Sequence, residues 1–213
     1  MPLDTTIYPL DKDQLVVRRR SLPHWEQPRG VYFVTFRTAD SVAKEIIDDY
    51  HEKHDRLVEA YERLHPDNRI DAEREVVRLY CRTMDRALDA GAGACPFSKA
   101  AEADLMASAL THFNGERYDL FSWSVMPNHV HAVMRCHDGH SLSSALHSWK
   151  SYTATRLNRI RETKGEFWQK EYFDHLIRSE HDLSRFCSYV YRNPVKAGLE
   201  NWRWTWIAPE LET

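Results

Sequence analysis

Cysteine is scarce in this sequence of 213 residues, and none of its four cysteines forms a C-x-x-C pair. This spacing argues against a disulfide framework and predicts reduced thiols in a cytoplasmic protein. We find no signal peptide and no apolar run long enough to span a membrane, so no membrane partner is expected. Positive charge is not in excess either: the formal net charge of −3 excludes a general basic field of the kind that binds nucleic acid.

The hydrophobic content of 42% and the aromatic content of 12% are enough for a substantial core. The length is near the upper end for one domain, and we predict a single domain over 1–213. Residues 41–90 form an apparent insertion in it. The tail, 201–213, carries Trp202, Trp204 and Trp206, whose period of two predicts an extended segment docked on the body.

The apparent insertion is helical and acidic. Its periodicity predicts two helices over 41–64 and 70–90, with a break at the His-Pro-Asp-Asn sequence of 65–68. Between residues 40 and 75 there are twelve acidic and six basic side chains. Because such a surface repels phosphate, we expect this acidic hairpin to lie away from any DNA path.

The remaining pattern predicts an α+β fold. Residues 1–30 are expected to be an irregular arm. The predicted elements are a strand at 31–36, a helix at 98–113, strands at 118–126 and from 129, a helix at 141–162, a strand at 172–177 and a helix at 181–193 that Pro194 ends. This is the ferredoxin-like β-α-β-β-α-β order with one helix added. Two helices would cover one sheet face and leave the other open.

Two histidines separated by one residue follow a Pro-Asn turn. On a strand, His129 and His131 would share a face about 7 Å apart, while Val130, Ala132 and Met134 would occupy the opposite, buried face. Two neutral imidazoles on one face are suited to bind a metal ion. The alternative is an ordinary strand whose exposed face carries two histidines.

The last predicted helix carries two tyrosines. Tyr189 falls on a polar stripe whose other members are Arg185, Arg192 and Asn193, whereas Tyr191 leans toward the apolar stripe. A tyrosine hydroxyl can be a nucleophile if a nearby cation or base assists it, because its ordinary pKa is near 10. The alternative is an ordinary amphipathic helix with a surface tyrosine.

Residues 150–196 contain ten basic and six acidic side chains, a local positive zone in an acidic chain. Trp168 could stack on unpaired bases, although a core role for it is equally open. The predicted DNA-binding residues are Arg135, Lys150, Arg156, Trp168, Arg185, Arg192 and Lys196.

Four motifs in series carry a family resemblance. They are Met-Pro-Asn-His-Val-His at 126–131, Trp-Lys-Ser-Tyr-Thr-Ala at 149–154, Phe-Trp-Gln-Lys-Glu-Tyr-Phe-Asp at 167–174 and Tyr-Val-Tyr-Arg-Asn-Pro-Val-Lys-Ala-Gly-Leu at 189–199. In this order and spacing they resemble the REP-associated tyrosine transposases, single-tyrosine transposases with a His-hydrophobic-His motif. The resemblance covers about 97–206 and leaves the acidic hairpin unexplained.

The resemblance implies a function and a site. It implies a divalent metal, Mg²⁺ or Mn²⁺, held by His129 and His131 and completed by Asn193. It also implies that Tyr189 cleaves single-stranded DNA near hairpin-forming repeats, through a 5′-phosphotyrosine that allows strand transfer without a nucleotide cofactor. Tyr152 is a weaker candidate for the nucleophile.

Two other functions remain open. A domesticated protein could bind DNA hairpins without cutting them, or a metal phosphoesterase could use water and form no covalent adduct. The sequence leaves open whether the protein acts as a monomer or a dimer.

Overall fold

The computed structural model describes residues 3–9, 16–19, 23–64 and 69–212. The predicted break at 65–68 lies outside the described residues. The chain divides into two compact units. One comprises Met1–Ala39 with Pro96–Thr213, and the other comprises Asp40–Cys95.

The strands of the described residues are β1 (Val16–Arg19), β2 (Pro23–Glu26), β3 (Val31–Arg37), β4 (Tyr118–Val125), β5 (His129–Cys136), β6 (Phe173–Ile177) and β7 (Thr205–Ile207). The α-helices there are α1 (Lys44–Leu64), α2 (Arg69–Tyr80), α3 (Arg86–Asp89), α4 (Ala100–Thr111), α5 (Leu142–Ile160) and α6 (Glu180–Lys196). None of these helices has the length and apolar character needed to cross a membrane.

The larger unit contains a five-stranded antiparallel sheet in the order β6-β3-β5-β4-β7. Strands β3, β4, β5 and β6 of this sheet have the ferredoxin-like arrangement, with α4 between β3 and β4 and α5 between β5 and β6 along the chain. The predicted fold class is therefore confirmed. β7 adds an edge strand beside β4, which confirms that the tryptophan-rich tail is extended and docked.

The main core lies between one sheet face and helices α4 and α5. Val130, Ala132 and Met134 belong to it, as the alternation of β5 predicts. The Trp149 indole of α5 donates a hydrogen bond to the Tyr118 hydroxyl at 2.9 Å, so this large side chain is buried without an unpaired N–H.

Helix α6 covers the other sheet face, which corrects the prediction of an open face. Its buried Leu183, Phe186 and Val190 form an apolar stripe, and the Phe186 ring stacks on Phe33 of β3 at 4.9 Å. Burying this apolar stripe on the sheet is more favourable than leaving it exposed to water, so α6 packs on the sheet as a third helix. The histidine strand is consequently buried along its whole length.

The structure also corrects the predicted end of α6. Pro194 lies inside the helix, which continues to Lys196. A proline removes only its own N–H, and near the end of a helix few hydrogen bonds depend on it. The stop is instead a Schellman motif: Gly198 adopts φ 77°, and the N–H groups of Gly198 and Leu199 donate to the carbonyls of Val195 and Pro194 at 3.0 and 2.9 Å.

The N-terminal arm is more regular than predicted, because β1 and β2 pair as an antiparallel ribbon. In the smaller unit, α1 and α2 confirm the two predicted helices. The second is shorter than predicted, since a π-helical turn, Cys81–Asp85, interrupts it before α3. Ion pairs one turn apart, such as Lys53 with Asp49 at 2.7 Å, neutralise part of the acidic surface of α1.

Candidate metal and nucleophile site

The two histidines of β5 face each other. Their rings are 4.7 Å apart between centroids, and the Nε2 atoms of His129 and His131 are separated by 3.0 Å. Two nitrogens bound at about 2.1 Å and at right angles on one ion would lie about 3.0 Å apart. The separation therefore fits a shared metal ion.

Each ring is held from behind by a polar side chain. The Nδ1 of His129 is 2.8 Å from the Asn128 Oδ1, and the Nδ1 of His131 is 2.7 Å from the Thr35 hydroxyl. Because Oδ1 only accepts hydrogen bonds, it fixes the proton of His129 on Nδ1 and leaves a lone pair on Nε2. Metal-ligating histidines are typically oriented in this way.

Both imidazoles are electrically neutral at neutral pH. Burial lowers the pKa of His129 well below its ordinary value, and the neighbouring His131 adds to this effect. Burial, followed by the positive charge of Lys196, lowers the pKa of His131 to about 3. Neutral imidazole is the form that binds a metal, so the pair needs no deprotonation at neutral pH.

Helix α6 brings Tyr189 to the histidines. Its ring lies 5.8 Å from the His131 ring and 5.9 Å from Phe33, and the side chain is half-buried. Within the described residues, Tyr191 has no ring contact with either histidine. Tyr152 is exposed on α5, which packs on the opposite face of the sheet. Geometry therefore favours Tyr189 over the other two tyrosines.

Asn193 lies one turn after Tyr189 and is fully buried. Among the described residues, neither its Oδ1 nor its Nδ2 has a hydrogen-bond partner. A buried amide without partners costs free energy unless a ligand satisfies it. An amide oxygen is a suitable third donor to a divalent ion held by two imidazoles, so the residue types fit the metal that the family resemblance implies.

No group of three His, Cys, Asp or Glu side chains suited to a metal occurs in the described part of the chain. A metal site at the histidine pair would thus depend on a ligand of another kind, which is the role predicted for Asn193.

Basic side chains surround Tyr189 on α6. The Lys196 ammonium lies 5.4 Å from the centre of the Tyr189 ring, and Arg192 is exposed. Arg185 is also exposed but pairs with Asp182 at 2.9 Å. Lys196 and Arg192 are therefore the better placed cations for a phosphate near the tyrosine.

Arg135 is buried and has protein partners, which argues against its predicted DNA contact. Its buried guanidinium donates to the carbonyl and carboxylate of Asp4, at 2.9 and 3.0 Å, and to the Thr6 carbonyl. It anchors the N-terminal segment to β5.

Replacing Arg135 by Met should consequently lower the free energy of unfolding by about 2 kcal/mol, since hydrogen bonds of a charged donor are lost. Urea denaturation would measure this loss. DNA affinity of the folded variant should match that of the parent chain; weaker binding at unchanged stability would restore Arg135 as a DNA contact.

For Trp168, the structure favours the core role over the alternative of stacking on bases. It is buried against Phe36 and Phe97, and its indole donates to the Thr153 hydroxyl at 3.0 Å. The Lys150 ammonium donates to the carbonyls of Gln169 and Lys170 at 2.6 and 2.9 Å, so it supports the segment before β6.

Arg156 is exposed, with its guanidinium 4.8 Å from the Tyr152 ring centre. DNA contacts of Arg156 and Lys150 stay predictions.

Two residues of the site were not found from the sequence: Thr35 and Asn128. Asn128 adjoins His129, so the motif itself offered a signal. Thr35 is a polar residue between the apolar Val34 and Phe36 of β3, but only the β3–β5 register places it opposite His131.

Comparison with known proteins shows which family this part of the chain resembles. Residues 97–193 match the family model described as "Transposase IS200 like". The chain is 28% identical over 90 residues to the REP-associated tyrosine transposase of Escherichia coli K12, covering 38% of this chain and 47% of that protein. It is 27% identical over 84 residues to a Haemophilus influenzae protein named after the same family, covering 35% and 48%. The chain thus spans about half the length of the curated relatives it matches.

Among solved structures, the chain is similar to that of a REP-associated tyrosine transposase bound to a REP hairpin. The TM-score is 0.47 at 15% identity, over 88% of this chain and 79% of the other. The family match begins at Phe97 and ends at Asn193, so it includes the histidine pair and Tyr189. The resemblance seen in the four motifs is therefore confirmed: residues 97–193 are similar to the IS200-like transposases.

Proposed function

We propose that this protein is a metal-dependent tyrosine transposase of the cytoplasm that nicks single-stranded DNA at hairpin-forming, REP-like repeats and transfers the strand. The observation that supports this best is the juxtaposition of the half-buried Tyr189 with the neutral, buried His129–His131 pair. The family match and the names of the relatives support the transposase class and an association with REP sequences.

His129, His131 and Asn193 would hold the ion, Mg²⁺ or Mn²⁺. When bound, the ion would act as a Lewis acid toward a phosphoryl oxygen. Asn128 and Thr35 keep the two imidazoles oriented. Because Lys196 and Arg192 stand near Tyr189, they can bind the phosphate and balance its charge as the reaction proceeds.

The Tyr189 hydroxyl gives up its proton to solvent, its Oη forms a bond to the phosphorus, and the bond from phosphorus to the 3′ oxygen breaks. The products are a 5′-phosphotyrosine and a free 3′-hydroxyl, which receives a proton. Since the phosphodiester is conserved in the tyrosine ester, a second 3′-hydroxyl can reverse the attack and complete strand transfer without a nucleotide cofactor.

The test is incubation of the protein with single-stranded DNA that carries a hairpin, in the presence of Mn²⁺. The label is placed on the DNA fragment that would keep the 5′-phosphate after cleavage. Denaturing electrophoresis should reveal a covalent protein–DNA species. A shift under native conditions without cleavage would identify a hairpin-binding protein. Cleavage without a covalent species would identify a phosphoesterase that uses water.

The acidic hairpin, 41–90, gives a separate prediction. Because its surplus of carboxylates repels phosphate, DNA bound to the protein should form few photo-crosslinks to it. Peptide mapping of crosslinked complexes would measure this, with peptides around Tyr189 as the positive control. Crosslinks concentrated in the hairpin would contradict the prediction.

A further inference from the structure

Ser124 is a buried polar residue that the site as described does not use. It lies fully buried on β4, and among the described residues its hydroxyl has no hydrogen-bond partner. In the β4–β5 ladder it stands directly opposite His131. Directly opposed residues place their side chains on the same face, so the hydroxyl is on the imidazole side of the sheet, under α6.

Ser122, the neighbouring serine on the same face of β4, does have hydrogen-bond partners within the described residues, unlike Ser124. The Ser122 hydroxyl lies 2.9 Å from the Trp206 carbonyl oxygen and 3.2 Å from that of Cys187. A buried hydroxyl usually finds such a partner. The unpaired hydroxyl of Ser124 is therefore a local feature of the strand segment beside His131.

The register of α6 on the sheet brings Asn193 to the same level. Cys187 lies over Ser122, and one turn later the Tyr191 carbonyl accepts a hydrogen bond from Thr205, the residue opposite Ser124 in β7. Four helical residues advance about 6 Å, and two strand residues advance about 6.6 Å. One turn of α6 therefore advances about as far as two residues of β4, and the helical turn that contains Asn193 lies over Ser124.

Two unsatisfied buried groups thus lie at neighbouring levels on the imidazole side of the sheet: a hydroxyl on β4 and an amide on α6. We propose that Ser124 is a positioning residue of the metal site: when an ion is bound, its hydroxyl would pair with the Asn193 amide and direct the amide oxygen toward the ion at the two Nε2 atoms. This inference rests on the proposed metal dependence. It adds a residue that none of the four family-like motifs contains.

The test is Mn²⁺ binding to the full chain without DNA, measured by calorimetry. Ser124→Ala should weaken Mn²⁺ binding about tenfold or more, as loss of a residue that orients a ligand typically does. Its metal-free melting temperature should equal or exceed that of the parent, since no hydrogen bond within the protein is lost. In an Asn193→Ala background, the same substitution should change Mn²⁺ affinity less than about twofold, because the residue to be positioned is absent.

Ser122→Ala is the matched control. It removes a hydroxyl that has protein partners, so it should lower the melting temperature and leave Mn²⁺ affinity within about twofold of the parent. Parent-like Mn²⁺ affinity in Ser124→Ala would overturn the role of Ser124 alone. A melting temperature lowered as much as in Ser122→Ala would also overturn it, because the hydroxyl would then be structural. Failure of the parent chain to bind Mn²⁺ would overturn the metal site and this inference together.

Discussion

Replacement of Tyr189 by Phe should eliminate DNA cleavage and the covalent adduct, a loss of at least about 10³-fold in the cleavage rate, because the attacking oxygen is removed. The ring, which contacts His131 and Phe33, remains in place. The free energy of unfolding should therefore change by about 1 kcal/mol or less. Single-turnover cleavage of a labelled hairpin substrate would measure the loss, and urea denaturation would check the fold.

The chain offers two matched controls for this substitution. Tyr191→Phe changes another tyrosine of α6, and Tyr152→Phe changes an exposed tyrosine on the opposite side of the sheet. Tyr191→Phe should cleave at close to the parent rate, and Tyr152→Phe should lose at most part of it. Hairpin affinity should be similar in all three variants. Loss of cleavage in a control, with cleavage retained in Tyr189→Phe, would move the nucleophile elsewhere.

Replacement of His129 or His131 by Leu should abolish metal-dependent cleavage. Loss of a residue that merely orients a ligand costs about 10–100-fold in metal affinity, so loss of a ligand itself should cost at least about 100-fold. Leu is preferred to Ala because both rings are fully buried, and truncation would leave a cavity that destabilises the protein. Calorimetry with Mn²⁺ and cleavage assays with and without EDTA would measure both effects.

His175→Leu provides a control for the loss of an imidazole, since the His175 ring contacts Phe186 at the β6 side of the same face. This variant should retain Mn²⁺ binding and cleavage. Full cleavage by the parent in EDTA, or by a variant lacking both His129 and His131, would remove the metal from the mechanism.

The sequence was sufficient to predict the elements of the site. The period of two around His129 and His131 placed both rings on one face, and the period of α6 separated Tyr189 from Tyr191. These are local rules, in which each side chain's direction follows from its position in one strand or helix. The β-α-β-β-α-β order likewise follows from the succession of such patterns.

Tertiary contacts between helices and strands could not be predicted from the sequence in the same way. Helix α6 covers the sheet face that carries the histidines because its apolar stripe packs there. No local sequence pattern specifies this tertiary contact. Arg135 and Trp168 show the same limit: each has a residue type suited to DNA, but tertiary packing engages Arg135 with Asp4 and buries Trp168 beside Phe36. Thr35 and Ser124 became visible only through strand register.

The measurement that tests the central claim most directly is peptide mapping of the trapped protein–DNA species by mass spectrometry. After Mn²⁺-dependent cleavage of hairpin-bearing single-stranded DNA, nuclease and protease digestion should leave a nucleotide 5′-phosphate on Tyr189. A nucleotide attached to Tyr191 or Tyr152 instead would contradict the assignment of the nucleophile. Cleaved DNA with no modified peptide would contradict the covalent mechanism itself.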